Sequence, residues 1–282
     1  MTTSMIAARE DGLDKKTIRT GFVGLGSQGG PMARRMVDAG YPLTLWARRP
    51  ESLDPYRDTP AAFAASIAEL GALCDHVGIC VVDDAGVRQV CAELLPAMQA
   101  GSRVVIHSTV SPDTCTDLAA QALARGIALI DAPVSGGGHG AASGTLTVMV
   151  GGEDDAVAAA RPVFETFAGT IVHLGGVGTG QLAKLVNNAL MAAHVALGCQ
   201  AMQAAAALGI DRPAFAELVK VSSGRSFGFE VAARLPAPSA FGHGAMLLAK
   251  DVRLLGEVLG TDHSSFIAFD QAAGPFLASA LA

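Results

Sequence analysis

The chain has 282 residues, 50% hydrophobic and 16% charged, with 33 glycines and few aromatics; 26 acidic against 20 basic side chains leave a formal charge of −6. That length accommodates one large domain or two ordinary ones, and a core built mainly from Ala, Val and Leu suits closely packed helices on a sheet better than a β-sandwich. The basic residues are dispersed, which argues against a nucleic-acid-binding face, and no run reaches the ~18 uninterrupted apolar residues of a membrane span.

Residues 1–18 mix both signs of charge and hold no apolar core of signal-peptide length, so they are expected to be a flexible tail on a cytoplasmic protein. From Thr20 to about Gly180 short apolar runs alternate with helical segments. Strands are expected at 21–25, 41–46, 77–82, 103–108, 128–133, 145–150 and 170–175, and helices at Pro31–Ala39, Ala61–Leu70, Gly86–Met98 and Pro112–Arg125. Such alternation implies βαβ units and a mainly parallel sheet, an α/β fold whose N-terminal domain, residues 19–180, is of Rossmann type. The five cysteines, Cys74, Cys80, Cys91, Cys115 and Cys199, form no C-x-x-C pair and have no His partner at metal-ligand spacing. Reduced thiols packed as small hydrophobes, and no metal site, are expected.

A Gly-rich joint, 175–180, ends that pattern. A long Ala-rich helix is expected from Gln181 to about Leu208; His194, Gln200 and Gln203 within it mark a buried globular helix. Asp211 is placed to cap the next helix and Pro213 falls early in it. Helical segments follow at 213–221, 225–234 and 246–259, giving an all-helical C-terminal domain, residues 181–282, for substrate binding and oligomerisation; the stretch after Gly260 shows no strong pattern.

Within the first strand–turn–helix, GFVGLGSQGGPMARRM, residues Gly24, Gly26 and Gly29 have G-x-G-x-x-G spacing. Gly24 permits the tight turn, Gly26 lets the backbone approach a pyrophosphate, and Gly29 allows close helix–strand packing, while the helix N-terminus offers N–H groups to the anion. A site selective for NAD places a carboxylate at the end of the second strand to bind the ribose hydroxyl. This chain has Leu45-Trp46-Ala47-Arg48-Arg49-Pro50 there. A guanidinium clamps a 2′-phosphate that a carboxylate repels, so NADP is expected, read by Arg48 and Arg49, with NAD as the alternative. Further along, GTGQLAKLVNNA (178–189) sets Lys184 among Leu182, Ala183, Leu185 and Val186, and helical spacing puts Gln181, Lys184, Asn187 and Asn188 on one face. Desolvation lowers the proton affinity of such an amine and suits it to proton transfer near neutral pH.

Four blocks in order, GFVGLGSQGGPMA (21–33), DAPVSGG (131–137) followed by GAASGTLTVMVGG, GTGQLAKLVNN (178–188) and LLAKDVRL (247–254), resemble the β-hydroxyacid dehydrogenase family of 3-hydroxyisobutyrate and tartronate semialdehyde reductases, over about Thr20 to residue 255. The resemblance implies hydride transfer between a nicotinamide cofactor and a small 3-hydroxy acid or its semialdehyde. Lys184 matches the family's general acid, Asn188 the residue that orients substrate or lysine, and Ser135, Gly136 and Gly137 the loop that grips the substrate carboxylate. Thr109 matches a position near the nicotinamide and Lys250 a lysine that reaches the cofactor. Leu25, Ser27 and Gln28 in the first turn, with Val81 and Val82 at the end of the strand at 77–82, complete the expected cofactor contacts. Gln28 departs from the family's usual Met, and Arg225 is an extra cation near a stretch used around the substrate. A homodimer or homotetramer is implied. Imine reductases share the early motifs but usually lack the lysine, and a non-catalytic NADP-binding module needs neither Lys184 nor Asn188.

Overall fold

The computed structural model describes residues 17–282, so residues 1–16 of the expected tail lie outside the described residues. The first elements are β1 (Thr20–Val23), α1 (Gly29–Asp38), β2 (Leu43–Trp46), β3 (Ala62–Phe63), α2 (Ile67–Leu73), β4 (His76–Ile79), α3 (Asp84–Leu94), β5 (Arg103–Ile106), α4 (Pro112–Leu123) and β6 (Ala128–Asp131). The six strands form one parallel sheet in the order β3-β2-β1-β4-β5-β6. Strand order reverses between β1 and β4, and in such sheets the crevice beyond the carboxyl ends at that reversal is where ligands bind. β1 and β4 are buried along their whole lengths, as covered parallel strands require.

The chain continues with β7 (Val134–Ser135), α5 (Gly137–Ser143), β8 (Leu146–Val150), α6 (Asp154–Phe164) and β9 (Ala168–His173), then α7 (Thr179–Ala207), α8 (Arg212–Lys220), α9 (Phe227–Arg234), α10 (Gly242–Leu259) and α11 (Ser264–Leu281). Two compact units result: the first runs to Ser108 and from Pro112 to Gly180, the second takes Thr109–Ser111 with Gln181–Ala282. Phe22, Met32, Met36, Leu45, Phe164 and Phe167 lie in the core of the first. In the second, Leu185, Ala189, Ala192 and Val195 of α7 pack with Leu248, Val252 and Leu255 of α10 and Phe276 and Leu277 of α11. By length and composition α7 is apolar enough to cross a membrane, although no stretch of it is uninterrupted. The Rossmann-type sheet followed by helices is the expected fold.

Four local expectations are corrected. Residues 61–66 are not helical: Ala62–Phe63 pair with β2, and α2 starts after Ser66, whose hydroxyl accepts from Glu69 N at 3.0 Å while the Glu69 carboxylate accepts from Ala65 N at 2.6 Å. That reciprocal cap fixes the helix start. The segment at Ser135-Gly136-Gly137 is no loop; Ser135 ends β7, Gly136 caps α5 and Gly137 opens it. Positive φ at Gly136 (128°) and Gly137 (63°) turns the chain back, so β8 returns antiparallel to β7. Hence β8 and β9 belong to a separate three-stranded sheet rather than extending the parallel one. Finally, the stretch after Gly260 is an 18-residue helix that buries Ala273, Phe276, Leu277 and Ala280, a spacing of one helical face.

The first core holds two histidines with no access to water. His107 Nδ1 lies 2.8 Å from the Ala132 carbonyl, its ring stacked on Phe22 and edge-on to Phe164 and Phe167. Burial pushes it down to about 4. His76 is pushed well below the usual histidine range by burial, then by the Arg103 and His107 charges, and its Nδ1 has no hydrogen-bond partner among the described residues. Both are neutral in the folded chain, and the unfolded chain takes up their protons first as pH falls. Stability is therefore full above about 6.5 and is lost as pH falls below it, down to about 4 for His107, at about 1.4 kcal/mol per pH unit for each group. The urea midpoint is expected to fall from pH 7 to pH 5, and less steeply for His107→Leu. An identical fall in both proteins would assign the acid sensitivity to other groups.

Candidate active site

At the reversal of strand order a cavity of about 650 Å³ opens beyond β1, β2 and β4, and its wall includes Gly24–Gly26, Trp46–Arg49 and Cys80–Asp83. The glycines there have distinct reasons. Gly24 has φ +96° and a Cβ on it would lie 2.1 Å from the Cys80 carbonyl oxygen; one on Gly29 would lie 2.0 Å from the Gly24 carbonyl oxygen. Both are required by the close packing of β1, β4 and α1. A Cβ on Gly26 would meet no atom within 4 Å. The fold makes no demand for glycine at 26, so its bareness serves something that approaches from the cavity. The first turn of α1 holds no acidic residue and its Gln28 cap makes no side-chain hydrogen bond, which leaves that helix end open to an anion. These features fit a dinucleotide pyrophosphate.

Of the sequence-predicted cofactor residues, the cavity gathers Gly24, Leu25, Gly26, Arg48, Arg49, Val81 and Val82. Ser27, Gln28 and Gly29 continue the same turn into α1. Arg48 and Arg49 are exposed, and among the described residues neither side chain makes a hydrogen bond or ion pair. Val81 N donates to the Ser108 hydroxyl at 2.8 Å, tying the loop after β4 to the end of β5. The Cys80 thiol in this wall is pushed up to about 12 by burial, so it is an inert packing group. All five cysteines are free. Ser135, Gly136 and Gly137 lie at the junction of β7 and α5. The next residue, Gly138, has no room for a side chain, since its Cβ would lie 2.5 Å from the Ser27 carbonyl oxygen, so α5 packs directly on the cofactor turn.

The remaining predicted residues cluster in the helical unit. Lys184 is 8% exposed on α7. Burial lowers its amine to about 8; the Asp251 carboxylate pulls the other way and the Lys250 charge adds to the lowering. Asn188 Nδ2 donates to Asp251 Oδ2 at 2.5 Å, and Asn187 Nδ2 donates to Asn188 Oδ1 at 3.1 Å. Lys250 Nζ donates to the Thr109 carbonyl at 2.6 Å and sits 3.3 Å from Asp251 Oδ1. One residue on, Val110 N donates to the buried Gln181 side chain at 3.2 Å. Thr109 is thus held on both sides, by Lys250 and through Val110. Arg225 is exposed ahead of α9.

Three buried residues organise these groups. Asp131 is fully buried and its Oδ1 accepts from Gly178 N at 2.6 Å, just before α7. Asp251, next to Lys250 on α10, is 3% exposed. Gln181 is fully buried. The partners of both carboxylates lie 47 and 63 residues away in sequence, beyond the reach of helical or strand periodicity.

Residues 19–175 match the family model described as the NAD binding domain of 6-phosphogluconate dehydrogenase, and residues 178–279 match that described as NAD-binding of NADP-dependent 3-hydroxyisobutyrate dehydrogenase. The NAD-dependent L-serine dehydrogenase of Pseudomonas aeruginosa is 35% identical over 263 residues, covering 86% of this chain and 86% of its own length. The chain belongs to the β-hydroxyacid dehydrogenase family. Among solved structures, Mycobacterium tuberculosis 3-hydroxyisobutyrate dehydrogenase with L-serine superposes with a TM-score of 0.82 at 27% identity, covering 94% of this chain and 95% of that one. A protein named Psf3, in complex with NADP+ and 2-OPP, follows at 0.79 and 26%, covering 93% and 91%. Members of this family act on small hydroxy acids, and this one is an oxidoreductase that uses a nicotinamide dinucleotide.

The glycine geometry yields a paired test. Gly26→Ala is expected to keep the thermal midpoint within about 2 °C of the parent, because its methyl meets no protein atom, yet to weaken nicotinamide dinucleotide binding at least about 10-fold. Gly29→Ala is expected to lower the midpoint by several degrees or to prevent folding. Thermal melts and a fluorescence titration of the cofactor decide it; equal effects of both substitutions on folding would contradict the division of roles.

Proposed function

We propose that this family member transfers hydride between NADP(H) and a small 3-hydroxy acid or its semialdehyde, with Lys184 as the general acid and base. The observation that carries the reading is a buried amine lowered to about 8, so that it loses and regains its proton close to neutral pH. When bound, the nicotinamide supplies or accepts the hydride. In reduction Lys184 gives its ammonium proton to the carbonyl oxygen and becomes a neutral amine; in oxidation the neutral amine takes the proton of the alcohol. Asn188, anchored on Asp251, orients the reacting oxygen or the lysine. Ser135, Gly136 and Gly137 hold the substrate carboxylate, and Thr109 and Lys250 serve the nicotinamide side.

For the cofactor, two guanidiniums just after β2, without hydrogen-bond or ion-pair partners among the described residues, support NADP. The family contains both kinds of relative, one named NAD-dependent and one solved with NADP+, so the arginines carry this part of the reading alone. The names of the relatives point to small acids with a hydroxyl on carbon 3, L-serine and 3-hydroxyisobutyrate among them. Leu182, Val186 and Leu190 recur every four residues along α7 and are between 39% and 46% exposed, an apolar stripe that supports assembly of two or four copies.

The test follows nicotinamide absorbance with NADP and with NAD against a panel of small 3-hydroxy acids, L-serine included. Turnover with one acid, faster with NADP, is expected. Lys184→Ala should lower turnover by about 10²- to 10⁴-fold while cofactor binding stays within a few-fold. Retained turnover in that variant would remove Lys184 from the chemistry, and a preference for NAD would remove the phosphate-reading role of Arg48 and Arg49.

A further inference from the structure

In the helical unit two lysines, Lys184 and Lys250, interact with one buried carboxylate, Asp251. Asp251 has a side chain that is 4% exposed; its Oδ2 accepts the Asn188 amide at 2.5 Å, while Oδ1 accepts no hydrogen bond among the described residues and faces Lys250 Nζ at 3.3 Å. A buried carboxylate oxygen without a hydrogen bond is costly, and it persists only where charge compensates. Lys250 is already engaged, donating to the Thr109 carbonyl at 2.6 Å, and its side chain is 25% exposed. Lys184 is the more deeply buried of the two amines. Asp251 and Lys250, both on α10, act on its charge, and Asn188, one helical turn along α7 from Lys184, holds the Asp251 carboxylate.

We propose that Asp251 is a positioning residue: one carboxylate, anchored by Asn188 and shared as counter-charge by Lys184 and Lys250, governs the proton on Lys184. With Lys184 protonated the group carries one net positive charge, and with Lys184 neutral it carries none. The burial of the cluster therefore favours release of that proton, and Asp251 opposes it just enough for both forms to be populated near neutral pH. Lys250 competes for the same carboxylate. Removing Asp251 takes that counter-charge from both amines; removing Lys250 leaves it to Lys184. The two substitutions move the same titration in opposite directions, which a purely structural loss does not do.

This inference rests on the reading of Lys184 as the proton donor, but its test does not use turnover. The chain has five lysines, at 15, 16, 184, 220 and 250, so protein labelled with 13C at lysine Cε gives a resolvable set of resonances, with Lys184 assigned by its loss in Lys184→Ala. The pH titration of that resonance is followed in the parent, Asp251→Asn and Lys250→Met. Asp251→Asn is expected to lower the Lys184 midpoint by about 1 pH unit or more, and Lys250→Met to raise it. A folded Asp251→Asn protein with an unchanged midpoint overturns the proposal. Should that variant not fold, Lys250→Met decides: a raised midpoint upholds the shared counter-charge and an unchanged one overturns it. If both midpoints move as expected while the pH profile of turnover does not follow them, the positioning role stands and the catalytic reading of Lys184 falls.

Discussion

Lys184 is an ammonium-bearing side chain placed where water does not reach, and that desolvation is the constraint on which the rest of the site is arranged. An isolated buried charge costs several kcal/mol, more than a domain of this size can absorb without compensation. The helical unit supplies the compensation on one neighbouring helix: Asp251 of α10 offsets part of the cost and Lys250 restores part of it. The balance leaves the amine at about 8, well under its ordinary 10.5. Leu185, Ala189, Ala192 and Val195 on the same helix sit in the core against α10 and α11, so the packing that stabilises the unit is also the packing that dries the amine.

The first unit is organised around a buried carboxylate of its own. Asp131 ends β6, exchanges backbone hydrogen bonds with Gly151 and accepts the Gly178 N–H through Oδ1. The surrounding chain is so close that a Cβ on Gly151 would lie 2.4 Å from Asp131 Oδ1 and one on Gly180 would lie 2.4 Å from the Met149 carbonyl oxygen. Gly180, the last glycine of the joint before α7, is therefore bare because backbone and this carboxylate fill its side-chain space. At the other end of the sheet the same economy applies. Gly24 and Gly29 are bare because backbone fills their side-chain space, whereas Gly26 is bare toward the cavity.

Much of this fold was legible because it is local. Strand centres are apolar, the glycine turn sits between a strand and a helix, and these features pointed to a Rossmann-type sheet followed by helices, which the structure has. Misread elements were local too. The Ala61–Leu70 run is rich in alanine and invited a helix, although Ser66 and Glu69 spell a capping box that starts α2 later. Face spacing in α6 (Val157, Ala160, Val163, Phe164) and α11 was equally present in the sequence but hidden by alanine. The site was legible as residue types at motif positions, and the cavity brings seven of the cofactor residues onto one wall. What no motif encoded was the pairing of charges across the unit. Asp251 stands beside Lys250 in sequence, yet its hydrogen-bond partner is Asn188, 63 residues away.

The most direct test of the account is the pH dependence of kcat in both directions with one identified substrate. Reduction needs the ammonium and oxidation needs the neutral amine of one and the same group. The reduction rate should fall, and the oxidation rate rise to a plateau, about a common midpoint near pH 8. Profiles flat across that range, or midpoints that differ between the two directions and survive in Lys184→Ala, would contradict the assignment of proton transfer to Lys184.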